Sequence, residues 1–452
     1  MGSVIYDFLA DSLFLHQNSI KNGFKKETDS KIEHELQNYR DFCIKNYHNL
    51  INEINTRDSF LKVFSSTEKN SINLLKQTAL YIDQFIIPDP LFKLTDHPAD
   101  SSEVTAKYLG YLENNSIDRQ QLSKAGKYLK EISPMIVGNY VKIFPLSYHF
   151  EAPKEISINM PKDYYNGILP DEIMKFFWNN VSVKSMEKSE TGGWRVVDGK
   201  LYPCRGIAVN FKGDNFISSM IYHLFEVVVD KLNEDGTYTF RFNLPESIPE
   251  ENYFKAWVTQ SINSASKAYF DKIYIENYIA SNLKSTYLCD NEFTSKLISQ
   301  NYNIQDTIQT YTANQIINFE LPFIDNIDID KLMQVREFDA NVFTNFRIEL
   351  EKHFRELRTI TDPELLKTRT ENIFHEINDV QVQKLKQKIG HINKQVAVNS
   401  VLALGGLLGS FQTGGYSLLA TALALGKGYK DYMDYKESVK ENPSYLLWKI
   451  QK

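Results

Sequence analysis

Apolar positions along this chain change their spacing twice. From Val4 to about Gly126 they recur every three or four residues, the period of helices with one buried face. Within residues 33–54, Leu36, Tyr39, Cys43, Tyr47, Leu50 and Ile54 form one such face. Ser71 is placed to cap a further helix running through Leu80. That helix leads into Phe85-Ile86-Ile87, a short buried strand or turn, and then into Pro88-Asp89-Pro90, where helix is excluded. Between about Pro134 and Pro245 the period falls to two, in runs rich in β-branched and aromatic residues. The Asp-Gly pairs at 198–199 and 235–236 lie between such runs and predict two tight hairpins. One face of the resulting antiparallel sheet is expected to be covered.

Helical spacing returns at Ser247, read as a cap before Pro249 and two glutamates. Trp257, Tyr269, Phe270, Tyr274 and Tyr278 follow as an aromatic face, more in keeping with core than with base stacking, because no basic cluster accompanies them. Residues 289–312 are polar, and their pattern is ambiguous between elements. From Asp328, a second long stripe runs through Leu332, Val335, Phe338, Val342, Phe346, Leu350, Phe354 and Leu357. Thr361-Asp362-Pro363-Glu364 is a complete capping box that starts the next helix. The expected fold is therefore α+β: a helical region 1–133, an antiparallel β module 134–246, a helical connection 247–320, and a helical module 321–452 built on a long-helix pair.

The second helix of that pair runs into residues 395–426, which carry no charge and are rich in Gly and Ala. Gly405 and Gly409 form a GxxxG, and Ala420, Ala424 and Gly428 repeat the small-residue spacing beyond Gly414-Gly415. Small residues four apart let two helix backbones approach closely, and paired glycines break a helix cheaply. A Gly/Ala-rich helical hairpin over 395–428 is the expectation. Its arms, about 24 Å and about 15 Å at the helical rise, are each shorter than a bilayer core of about 30 Å. Docking on its own domain or on another copy is the plain reading. Release into a membrane on a trigger is the sharper one, favoured by Lys394, Lys427 and Lys430 at the ends.

Composition narrows the classes. The chain has 452 residues, enough for two or three domains, and a net charge of −6, which argues against general nucleic-acid binding. Cys43, Cys204 and Cys289 stand apart with no ligand spacing, as expected of buried thiols in a reducing cytosol. Asp7 and Asp11 stand where a secretory signal needs positive charge, so a cytoplasmic protein is expected. The abundance of Lys, Asn, Ile and Tyr resembles that of proteins from AT-rich bacteria.

Candidate chemistry is sparse. Asp83 and Asp89 flank the apolar run at 85–87 and are candidate acids, although Asp beside Pro commonly just starts a turn. Pro170-Asp171 followed by Asp198-Gly199-Lys200 has the letter pattern of a PD-(D/E)xK nuclease, in which two acids hold a metal and a lysine steadies the phosphate. The turn chemistry of Asp198-Gly199 competes with that reading. Glu349 and His353 are one helical turn apart, without an HExxH motif. No Walker A loop, GxGxxG or GxSxG occurs, so no cofactor and no metal are expected. The balance leans away from an enzyme. It points to a bacterial cytosolic protein acting through a C-terminal oligomerisation or partner-binding module. A membrane-disrupting toxin or anti-phage effector, and a metal-dependent hydrolase or nuclease, are the alternatives.

Overall fold

The structure, a computed structural model, describes residues 3–56, 61–67, 71–79, 81–95, 117–150, 163–190, 193–211, 220–236, 238–288, 292–301 and 328–338, then 344, 348–349, 351–353, 355, 357, 360 and 363–376. The chain is a mixed α/β protein with two main sheets. The uncharged stretch, with Gly405, Gly409, Ala420, Ala424 and Gly428, lies outside the described residues, as does Cys289.

The first sheet is parallel. Strands β1 (Lys62–Ser65), β2 (Gln84–Pro88), β3 (Val141–Phe144) and a late strand, β10 (Thr286–Leu288), run in the order β10-β1-β2-β3. Every residue of β1, β2 and β3 is buried, because helices cover both faces, and this is why Phe85-Ile86-Ile87 reads as a continuous apolar run rather than an alternation. Val63, Phe85, Ile87, Val141 and Ile143 face one core, with helices α1 (Val4–Ala10), α3 (Asp29–Lys45), α6 (Arg119–Glu131) and α7 (Ser133–Val137). Phe64, Ile86 and Phe144 face the other. The sheet draws strands from three of the four segments expected from sequence, so those segments do not each own a core.

Local signals place several elements. Ser71 Oγ accepts from Leu74 N at 3.0 Å and starts α5 (Ile72–Thr78), as its position predicts. The helix expected over 33–54 is two helices. Thr28 caps α3, and Asn46, outside helical geometry at φ −97° and ψ 10°, separates it from α4 (Tyr47–Asn55). The apolar face nonetheless continues across the break, with Leu36, Tyr39, Cys43, Leu50 and Ile54 all buried.

The second sheet is antiparallel, in the order β5-β4-β6-β7, from β4 (Val181–Lys188), β5 (Trp194–Val196), β6 (Gly206–Phe211) and β7 (Met220–His223). One face packs on α8 (Asp171–Asn180), on the first half of α9 (Glu251–Asn282) and on α10 (Glu292–Asn301). The hairpin expected at Asp198-Gly199 does not form. β5 pairs back on β4, Lys188 with Trp194, and Ser189 N donates to Gly193 O at 2.6 Å; Asp198-Gly199 is only a bend, because Ser185 Oγ claims Tyr202 N at 3.1 Å and draws 200–202 to β4. The Asp235-Gly236 hairpin does form, between β8 (Glu226–Leu232) and β9 (Tyr238–Asn243). Gly236 adopts φ +84°, which suits glycine, and Gly236 N donates to Asn233 O at 3.1 Å. Its loop is longer than two residues, since Leu232 pairs with Tyr238.

Helix α9 is 32 residues long and crosses between the two cores. Phe254, Val258, Ile262 and Ala265 pack under the antiparallel sheet, while Ile279, Ala280 and Leu283 pack on the parallel one. It starts at Glu251 with Glu250 as N-cap, four residues after the Ser247 expected from sequence. Two further helices are α11 (Ile329–Phe338), whose Leu332 and Met333 join the first core, and α12 (Pro363–Phe374), which begins at the proline of the predicted capping box.

Candidate functional site

The carboxyl end of the parallel sheet opens into a cavity of about 650 Å³. Open parallel sheets bind ligands outside their strand ends, beside the point where the strand order reverses. Here the chain steps outward from β1 to β2 to β3, and β10 then joins the opposite side of β1, so the reversal lies between β1 and β10. Ser66, directly after β1, and Pro88, Asp89 and Pro90, at the end of β2, line the cavity. Leu146, Ser147 and Phe150 close it after β3, and Gln121, Lys124, Ala125 and Tyr128 of α6 form a wall. From α9 come Lys272 and Glu276.

Asp89 is 2 % exposed. Its Oδ1 accepts from Leu91 N at 2.9 Å and Phe92 N at 3.0 Å, its Oδ2 accepts from the Tyr39 hydroxyl, and its own N donates to Phe144 O at 2.8 Å. The carboxylate therefore caps the short turn Phe92–Thr95 and ties it to α3 and β3. Burial pushes the Asp89 carboxyl above its ordinary value, against the pull of these three donors. Burial, followed by the Asp89 charge, pushes the Tyr39 hydroxyl well up. Cys43 beside them is raised chiefly by burial, which makes it an inert thiol. Three of the roughly four acceptor positions of Asp89 are engaged, and these bonds fix the wall of the cavity at the end of β2.

Glu276 is 1 % exposed and differently placed. Its Oε2 accepts from the Tyr287 hydroxyl at 2.6 Å, and Tyr287 in turn lies 3.2 Å from Ser66 Oγ. The chain Glu276, Tyr287, Ser66 thus spans the β10-β1 seam where the strand order reverses. Lys272 Nζ stands 3.9 Å from Glu276 Oε1, with its side chain 59 % exposed. Sequence reading did not single out Glu276. Its signal was an acid seven residues after Tyr269 and four before Ala280, within the apolar stripe of α9.

The acids suggested by sequence do not converge. Asp83 sits at the opposite end of β2, six residues and about 20 Å of extended chain from Asp89. Its Oδ2 accepts from Leu61 N at 2.7 Å, its N donates to Leu61 O at 3.0 Å, and Arg336 Nη2 reaches its carbonyl at 3.1 Å. This is a clasp between the starts of two strands. Asp171 is the first residue of α8, where an acid favours the helix terminus. Asp198 pairs with Lys184 at 2.6 Å and is 92 % exposed, and the lysine lowers its pKa. Lys200 is exposed on the same bend. Glu349 Oε1 lies 3.0 Å from His353 Nε2 within one helical turn. Among the described residues, no group of three or more His, Cys, Asp or Glu is placed to hold a metal, and no helix is long and apolar enough to cross a membrane. Comparison with protein families, with curated proteins and with solved structures gave no match to this chain.

Proposed function

We propose that this chain is a non-enzymatic, ligand-binding protein of the bacterial cytosol, with its small-molecule site in the cavity at the carboxyl end of the parallel sheet. The observation that carries the reading is the coincidence of three features in one place: a cavity of about 650 Å³, the reversal of strand order, and a buried acid, Glu276, in its wall. That volume falls within the range of about 300–1,000 Å³ typical of ligand pockets. A thermal-shift screen of small metabolites against the full chain tests it. A ligand present at about 100 times its Kd adds about 2.7 kcal/mol to stability. The shift should vanish in Ala125→Phe, which fills the cavity, and in Gln121→Trp, which obstructs its exposed rim. Ligands whose shifts survive both substitutions would bind elsewhere, and the reading would fail.

Residues 321–452 complete the proposal as the output half: a long-helix pair ending in the helical hairpin 395–428, through which copies of the chain or a protein partner associate. Its support is the absence of charge from 395–426 together with the small-residue spacing of Gly405, Gly409, Ala420, Ala424 and Gly428. The same composition suits insertion into a lipid bilayer, so the test uses both readouts. Gly405→Leu and a chain truncated before Gln395 are compared with wild type by light scattering and by dye release from liposomes. Altered mass without leakage marks an assembly seam, and leakage by wild type alone marks a membrane effector.

A further inference from the structure

Resting on the reading of the cavity as a ligand site, we propose that its occupant is a small organic phosphate with a flat apolar body, of mononucleotide size. Three lysines from three separate elements line the one space: Lys93 from the turn after β2, Lys124 from α6 and Lys272 from α9. All three are exposed, whereas the two acids of the lining, Asp89 and Glu276, are almost wholly buried. Among the described residues of the lining, the exposed charges are therefore all positive, although the chain as a whole is acidic at −6. Asp89 is already met by Tyr39 and two backbone amides, and Glu276 by Tyr287 with Lys272 at 3.9 Å. The positive pair Lys93 and Lys124 matches a dianion better than a single carboxylate, and lysine binds phosphate as a point charge.

The remaining lining fixes the rest of the molecule. Ile72, Leu94, Leu146, Phe150 and the ring of Tyr128 give the cavity broad apolar walls, suited to a planar heterocycle. Ser66 and Glu276, joined through Tyr287, present hydroxyl and carboxylate acceptors at the β10-β1 seam. A carboxylate beside the ligand crevice can accept hydrogen bonds from sugar hydroxyls, as an acid does for the ribose in dinucleotide-binding sheets. In this pose the phosphate lies between Lys93 and Lys124, the ring against Tyr128 and the sugar hydroxyls toward Glu276 and Ser66.

The test is calorimetric titration of the full chain with the ribonucleoside monophosphates of the four common bases, with the matching nucleosides, and with inorganic phosphate as competitor. At least one monophosphate should saturate below about 1 mM. Lys93→Gln with Lys124→Gln should raise its Kd at least about tenfold, and the uncharged nucleoside should bind correspondingly more weakly. Thermal unfolding of the double variant, measured beside wild type, separates a loss of binding from a loss of fold. Saturation by no monophosphate, or equal affinity for nucleoside and phosphate, overturns the proposal. The cavity reading is judged separately. If an uncharged compound binds wild type but not Ala125→Phe, the cavity stands and only the phosphate is wrong; if Ala125→Phe changes no binding at all, both fall.

Discussion

Asp89 shows how one residue gains a structural duty from its surroundings. Three donors converge on a carboxylate that is 2 % exposed, and two of them are backbone amides with no other partner in the turn. Asp89→Ala leaves those donors buried and unmet, and should cost about 3–5 kcal/mol in urea unfolding. Tyr39→Phe removes one donor and should cost about 1–2 kcal/mol. The reverse order of the two losses would show that Asp89 is not the organising group. His223, packed edge-on against Trp194 at 4.4 Å, supplies a pH dependence. Burial lowers its pKa from 6.5 to about 4, so the folded state holds it neutral where the unfolded chain would take up a proton. Its stabilising contribution is complete above pH 6.5 and is lost as pH falls toward 4. Partial exposure reduces this to about 1–2 kcal/mol. His223→Gln should flatten that part of the stability profile.

Contacts between elements depend on small residues at crossings. In α6, a Cβ added at Gly126 would lie 2.6 Å from the carbonyl oxygen of Phe14 and 3.2 Å from Ile20, so the helix closes directly on the backbone of residues 13–21. Gly126→Ala should therefore destabilise the fold by about 2 kcal/mol in thermal unfolding despite its better helix propensity. An unchanged or raised Tm would mean that α6 sits farther out. The same helix supplies one wall of the cavity, which ties this packing to the proposed ligand site. Gly206 plays the corresponding part in the antiparallel sheet, where an added Cβ would meet Trp194 Cζ3 at 2.9 Å.

The molecule as a whole is held together by α9, which joins two cores that share little else among the described elements. Trp178, Trp194 and Trp257, three of the four tryptophans, lie in the antiparallel half. Their fluorescence and the far-UV circular dichroism should therefore report one coincident transition if α9 couples the cores. Ala268 is exposed near the middle of α9. Ala268→Pro breaks the helix there at a cost of about 3 kcal/mol, and should split the fluorescence and dichroism midpoints apart. Coincident midpoints in that variant would make the two halves cooperative through other contacts.

The sequence by itself determined what depends on neighbours within a few residues. Ser71 as a cap, the buried face from Leu36 to Ile54, the apolar run at 85–87, the burial of Cys43 and Cys204, and the Asp235-Gly236 turn each follow from spacing and turn chemistry. Asp198-Gly199 has equally good turn letters, yet Ser185, distant in sequence, draws its second arm away. Only the tertiary structure decided that strands at 62–65, 84–88, 141–144 and 286–288 form one parallel sheet, because parallel pairing crosses long connections that leave no local trace. It also separated Asp83 from Asp89 to opposite ends of a strand, and brought Lys93, Lys124, Lys272 and Glu276 around one cavity. A site assembled from the ends of separate strands and helices exists only when the sheet that aligns them has formed.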